Sequence, residues 1–242
     1  MIKSKLSTLT IIEDSAVLTI ENGRKNLLTD PEFIGTEVLQ KFVDDNPQIK
    51  SLIIRGAGRH FSHGADISRF NSNEDVSVIS GQLESARKLL DFIENLSMVT
   101  ISAVNGGCFG GGLETALACQ FRVCAKNAYM GLPEVMHGVL PGMCGMERLT
   151  RLIGRKKALE MCLSGSIISA SDALEIGLAD KVTDNNDCFS DALTFAKEFT
   201  EDKTISQIHN IIETINLASK GEKNPSKGRF EQVLQEKWET EK

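Results

Sequence analysis

Five glycines fall within seven positions, at Gly106, Gly107, Gly110, Gly111 and Gly112, and the run passes directly into a helical pattern carrying Glu114. Glycine packed this densely before a helix allows a backbone approach that side chains would block. It also leaves free N–H groups at the helix start, where the helix dipole favours negative charge. Two nucleotide signatures share this look, and both fail. A dinucleotide fingerprint needs glycines at i, i+2 and i+5, which no start in 106–112 provides. A P-loop needs Gly-Lys-Ser/Thr, and here Gly112 is followed by Leu113 and Glu114. The glycines alone fit either a tight structural turn or a helix start that holds an oxyanion.

Two carboxylates narrow the choice. Glu114 lies among Leu113, Ala116, Leu117 and Ala118, and Glu134 lies in Leu132-Pro133-Glu134-Val135. A carboxyl group in apolar company has its pKa pushed upward, as proton transfer near neutral pH requires. Each glutamate alone also reads as an ordinary surface or dipole partner. Together, on either side of a glycine turn, they point to acid–base chemistry.

The surrounding pattern is that of an α/β protein. Residues 8–21 read as a β-hairpin around Glu13-Asp14-Ser15, and 22–26 as a turn carrying Arg24 and Lys25. Asp30-Pro31 is a helix-start pair, so a helix is expected over 31–44. A strand at 51–55 follows, then a polar, mobile stretch at 68–77 and a helix at 82–95. Strands are expected at 98–104, 121–125 and 129–131, with the glycine–helix unit between the first two. From Gly145 onward the pattern reads as helical throughout, with segments at 148–153, 156–163, 170–176, 189–200, 204–219 and 227–240. The alternation implies β-α-β crossovers. It divides the chain into a core over 1–185 and a helical region over 186–242 used for packing or oligomerisation.

Bulk properties exclude several classes. With 242 residues, 41% of them hydrophobic, the chain can bury a core without staples. A net charge of −6 disfavours nucleic acid as a partner. None of the six cysteines forms a CxxC pair, so reduced thiols in a reducing compartment are expected. The sequence carries no secretory leader pattern and no apolar run of about 18 residues. A cytoplasmic location away from membranes is the expectation. His60 and His63 are spaced i, i+3 without a third ligand nearby, so no metal is expected.

As a set, His63-Gly64-Ala65-Asp66, Val104-Asn105-Gly106, Gly110-Gly111-Gly112-Leu113-Glu114 and Pro133-Glu134 resemble the crotonase (enoyl-CoA hydratase/isomerase) superfamily. Leu140-Pro141-Gly142 with Arg148-Leu149, and the stretch from Ala173 to Ala179, extend the resemblance over residues 8–183. It implies a crotonase-like superhelix of stacked ββα turns with a helical C-terminal oligomerisation region, assembled as a homotrimer or hexamer. It implies an acyl-CoA thioester as substrate, with CoA part of the substrate rather than a separate cofactor. The thioester oxygen is then gripped by the N–H groups of Ala65 and Gly111. Glu114 activates a water for attack at Cβ, and Glu134 delivers a proton to Cα.

The same resemblance places Arg24, Lys25 and Asn26 at the nucleotide end of the substrate. It puts His63, Gly64 and Asp66, with Gly110, Pro133, His137 and Gly142, along the rest of it. The expected activity is hydration of a trans-2-enoyl thioester. The alternatives are isomerisation, decarboxylation or thioester hydrolysis on the same scaffold, and a catalytically silent subunit. The sequence departs from the family at Met143, Cys144 and Met146, which put larger side chains near the site, and at Gln120 and Glu147. With Trp238 almost at its end, the chain is also shorter than the family pattern. An acyl group on a carrier protein is therefore a second possible substrate form.

Overall fold

The alternation of apolar runs with helices builds two sheets in parallel. In the computed structural model, which describes residues 1–66 and 75–240, the hairpin is present as β2 (Ser7–Ile12) against β3 (Ser15–Ile20), preceded by a short β1 (Ile2–Ser4). Strands β4 (Ser51–Gly56), β5 (Val99–Val104) and β7 (Phe121–Ala125) then add in parallel, and β10 (Lys181–Thr183) closes the edge. The order is β1-β2-β3-β4-β5-β7-β10. A second sheet contains β6 (Gly107–Phe109), β8 (Tyr129–Gly131) and β9 (Ile167–Ser169), in the order β6-β8-β9. A bridge from Ser62 to Cys108 extends it towards the segment after β4. Successive turns thus give one strand to the large sheet, one strand or bridge to the small sheet, and then a helix. This is the stacked ββα superhelix expected from the resemblance.

The helices follow from where apolar faces need cover. α1 (Thr36–Asp44) and α2 (Val76–Glu94) bury Leu39, Phe42, Ala86, Leu89, Leu90 and Ile93 against one face of the large sheet. α3 (Gly111–Leu117) is buried along its whole length. Ile53, Val99, Ile101, Ala103 and Val123 point to the opposite face, which α6 (Phe189–Thr200) covers through Cys188, Ala192 and Ala196. β5 is covered on both faces: Val99, Ile101 and Ala103 face α6, and Thr100 and Ser102 between them are fully buried as well.

The structure corrects several boundaries. The helix expected from residue 31 begins at Thr36. The Asp30 side chain accepts from the Glu32 N–H at 3.0 Å, and the Glu32 side chain accepts from the Thr36 N–H at 3.0 Å. The Asp-Pro signal therefore makes a turn that feeds the helix, and Phe33 and Ile34 are buried before it starts. α2 starts at Val76 rather than 82, because Asp75 accepts from Ser77 N–H as its N-cap. Of the stretch expected to be mobile, residues 68–74 lie outside the described residues. The two helices expected at 148–153 and 156–163 are present within the span α4 (Gly145–Ser164), which breaks between them at Gly154 with φ 78 and ψ 159. The region after Gly145 is not all helical, since β9 and β10 fall within it around α5 (Ala170–Glu175). α7 (Ile205–Ser219) and α8 (Arg229–Thr240) complete the chain.

One buried side chain ties the first turns together. Asn26 is 0% exposed and stands at φ 48. Its carboxamide nitrogen donates to the carbonyls of Ala57 at 2.9 Å and His60 at 2.8 Å, and its oxygen accepts from Asn22 N–H at 3.1 Å. Asn26→Ala strands these groups without water. We expect it to lower the urea-derived unfolding free energy by about 2–4 kcal/mol.

Candidate active site

The site is built where the segment after β4 meets the start of α3. Ser62, wholly buried, fixes that segment from three sides. Its hydroxyl donates to the Asn26 carbonyl at 2.7 Å and accepts from the Gly64 N–H at 3.0 Å, and its carbonyl accepts from the Phe109 N–H at 3.0 Å. The Gly64 carbonyl accepts from the Leu28 N–H at 2.8 Å. Gly64 adopts φ +77, and a Cβ there would stand 2.5 Å from the Phe109 carbonyl oxygen and 2.9 Å from the Gly111 nitrogen. Only glycine permits that approach.

The approach places Ala65, the next residue, beside the first residue of α3. Gly110, at φ 53 and ψ −126, turns the chain into that helix, with its N–H spent on the Gly131 carbonyl at 3.0 Å. Gly111 is the first helical residue, so its N–H has no partner within α3. Among the described residues, no hydrogen bond is found from the N–H of Ala65 or Gly111.

The two glutamates stand on different supports. Glu114 lies in the first turn of α3 and is 2% exposed. Its Oε1 accepts from the Met143 N–H at 2.7 Å and the Gly145 N–H at 2.8 Å. A Cβ at Gly145 would stand 2.6 Å from Glu114 Cγ, so glycine is required for the carboxylate to reach those amides. Burial raises the Glu114 pKa, opposed by the amides of Met143, Gly145 and Gly142 and by the Arg148 charge. Glu134 opens a single 3-10 turn, Glu134–His137, held after Pro133. Its Oε2 is buried without a partner. Its Oε1 lies 3.0 Å from where a Gly110 Cβ would be, which puts the carboxylate against the turn into α3. Burial pushes its pKa up to about 7, with the Glu114 charge adding to the shift. The Glu134 carboxyl thus senses the Glu114 charge.

The remaining residues divide by depth. Gly64 and Gly110 are buried beside the two free N–H groups, while Pro133 and Gly142 are half-buried next to the glutamates. Asp66 is half-buried and follows Ala65 directly. Arg24 and Lys25 are exposed on the turn before Asn26, and the Lys25 carbonyl accepts from the His63 N–H at 3.0 Å. Asn26 itself lies inside the protein with its carboxamide bonded to the chain, and His137 is exposed. The His63 ring packs edge-on against Phe109 and His60, at centroid distances of 5.0 and 4.5 Å. His60 Nδ1 accepts from the Gly107 N–H at 2.9 Å. Burial and neighbouring charges lower the pKa of both histidines. Among the described residues no group of three or more His, Cys, Asp or Glu is arranged to hold a metal ion.

The departures from the family pattern acquire physical reasons. Met143 is buried, and its Cε lies 2.8 Å from where a Gly111 Cβ would stand, so the thioether lies across the helix start. Gln120 bonds both ways to the neighbouring chain. It accepts from the Thr100 N–H at 3.1 Å and donates to the Met98 carbonyl at 3.2 Å. Glu147 is exposed. Sequence reasoning missed Ser62 and the backbone amides of Met143 and Gly145. No pattern signals a serine or a main-chain amide that acts through tertiary contacts.

The enoyl-CoA hydratase/isomerase family model matches residues 16–242, and the chain belongs to that family, within the crotonase superfamily. Over 190 residues it is 38% identical to a probable enoyl-CoA hydratase of Bacillus subtilis (strain 168), covering 77% of this chain and 72% of that one. Over 165 residues it is 40% identical to the peroxisomal bifunctional enzyme of Pongo abelii, covering 68% of this chain but 22% of that larger protein. The crystal structure of an enoyl-CoA hydratase from Polaromonas sp. JS666 aligns with a TM-score of 0.81 at 32% identity, over 88% of this chain and 84% of that one.

The raised pKa of Glu134 has a stability consequence. A carboxyl that titrates at about 7 in the folded state and near 4.5 when free holds its proton more tightly when folded. Its contribution is full below the lower value and is lost as pH rises through the higher one. Glu134→Gln removes the charge at constant shape. At pH 8 we expect it to melt about 2–4 °C above the parent, and at pH 4 to match it. Scanning calorimetry at the two pH values checks this.

Proposed function

We propose that the protein is an enoyl-CoA hydratase-like lyase that adds water to a trans-2-enoyl thioester. The observation that carries this reading is the pair of inward-facing carboxylates in unlike settings beside two unpaired N–H groups. Two amides donate to Glu114 and offset part of the upward push that burial gives its pKa, while Glu134 is pushed up to about 7. One is suited to accept a proton and the other to donate one.

In this mechanism the thioester oxygen accepts from the N–H groups of Ala65 and Gly111. Water between the carboxyl groups gives a proton to Glu114 as its oxygen bonds to Cβ. The double-bond electrons move to the thioester oxygen, where the two donors stabilise the enolate. A donor of this kind is worth about 3–4 kcal/mol of barrier. The enolate collapses as Glu134 delivers its proton to Cα. The two carboxyls then regain their starting states by exchange with solvent.

Several finer assignments accompany this reading. The exposed cations Arg24 and Lys25 suit the phosphates of CoA, or of a carrier-protein-bound acyl group. Beside the Ala65 and Gly111 donors, the surroundings of the substrate comprise His63, Gly64, Asp66, Gly110, Pro133 and Gly142. Leu159, Leu163 and Ile167 are exposed along α4 and β9, as is Trp238 on α8. Apolar surface of this kind suits a homotrimer or hexamer. No helix among the described residues is long and apolar enough to cross a membrane; a cytoplasmic site of action is part of the same proposal.

Loss of enoyl-thioester ultraviolet absorbance on mixing with crotonyl-CoA, and then with longer enoyl-CoAs, tests the reaction. We expect turnover, with Glu114→Gln and Glu134→Gln each losing about 10²–10⁴-fold while remaining folded. Full turnover in either variant contradicts hydration by this pair. Isomerisation that survives in Glu114→Gln would instead identify a double-bond isomerase working through Glu134. The rate profile of the parent is expected to fall at low pH as Glu114 protonates and again above about pH 7 as Glu134 loses its proton.

A further inference from the structure

The loop that holds Glu114 is itself held from behind. The peptide joining Gly142 to Met143 donates its N–H to Glu114 Oε1 at 2.7 Å, and its carbonyl oxygen accepts from Arg87 Nε at 2.8 Å. The next carbonyl, that of Met143, accepts from Arg148 Nη1 at 2.7 Å. Arg148 is 3% exposed, and α2 locks it in place. Its Nε donates to Glu94 at 2.8 Å and its Nη2 to Asp91 at 2.7 Å. Arg87 also projects from α2, is 38% exposed, and has the Glu84 carboxylate 3.7 Å from its Nη1. Neither guanidinium hydrogen-bonds to the Glu114 carboxylate itself.

We propose that Arg87 and Arg148 are positioning residues for Glu114, acting through the Gly142–Met143 and Met143–Cys144 peptides whose carbonyls they grip. This rests on the reading of Glu114 as the general base. A cation on a peptide oxygen polarises the amide and strengthens the bond its N–H makes. In the Gly142–Met143 peptide, that bond ends on the carboxylate. The same grip opposes any drift of the loop, whose entry into α4 passes through Cys144 at φ 65, outside the conformations most side chains prefer. The other titratable groups bearing on Glu114 are Glu134 across the site and the Cys162 thiol, whose own pKa the two glutamates raise.

Arg87 gives the decisive test, because it is partly exposed and its removal leaves no buried charge. In Arg87→Ala we expect kcat for enoyl-CoA hydration to fall by about 10-fold to 100-fold. KM should change by less than about twofold, because the Arg87 hydrogen bond bears on the base rather than on ground-state binding. The acid limb of the kcat profile should move to higher pH, since weaker amide bonds stabilise the ionised carboxylate less. Arg87→Lys, which keeps a cationic donor, should restore most of the activity. A second readout needs no substrate. In protein labelled with 13C at the glutamate carboxyls, the Glu114 resonance, assigned by its absence in Glu114→Gln, should titrate at higher pH in Arg87→Ala. Arg148→Lys should move it the same way if that variant folds.

An upward move of that titration supports the proposal. If kcat nevertheless holds, the clamp stands and the role of Glu114 as base falls. An unmoved titration in a folded Arg87→Ala overturns the proposal, whatever happens to kcat.

Discussion

A carboxylate at the start of α3, almost fully removed from water, is the constraint on which the rest of the site depends. Burying an ionised group is costly unless hydrogen bonds replace its hydration. Here the replacement is two main-chain amides on a loop more than twenty residues further along the chain, those of Met143 and Gly145. That solution has local requirements. Residue 145 has to be glycine to admit the Glu114 side chain, and Cys144 has to adopt a left-handed conformation so that the flanking amides converge. Packing, backbone conformation and the charge of one group are therefore linked within four residues.

The second carboxylate gains its character from contrast. Glu134 is met by its own backbone N–H rather than by amides of another loop, and one of its oxygens is buried without any partner. The unlike settings act differently on the two carboxyls, amides offsetting part of the effect of burial at Glu114 while Glu134 is pushed up to about 7, and this suits them to the opposite roles proposed. The fold supplies this asymmetry. α3 and the 3-10 turn after β8 come from consecutive ββα turns, so one crossover brings them face to face while leaving them on separate supports. The family membership is consistent with this arrangement, and the proposed hydration uses both halves of it.

Much of this was legible in the chain. The glycine run, the apolar company of both glutamates and the long strands all appear as patterns, because each reflects a local requirement. Other features escaped for specific reasons. The Asp30-Pro31 pair carries a helix-start signal, yet Glu32 uses it to make a turn whose carboxylate then receives the Thr36 N–H. The strands β6, β9 and β10 span three residues each and sit inside the glycine run or between helical segments, whose stronger patterns dominate the reading there. Asn26 sits in a polar turn beside two cations, and only its long-range bonds to the 57–60 carbonyls reveal it as interior. Arg87 reads as one more charge on an amphipathic helix. Its bond to Gly142 spans 55 positions and has no sequence signature.

The most direct test of the central claim is a crystal structure of the protein with a non-reactive acyl-CoA thioester analogue. The account predicts the thioester oxygen at about 2.7–3.1 Å from the nitrogens of both Ala65 and Gly111, with Cα and Cβ facing Glu134 and Glu114. A thioester oxygen bound away from those two nitrogens, or an acyl group that meets neither carboxylate, would contradict it.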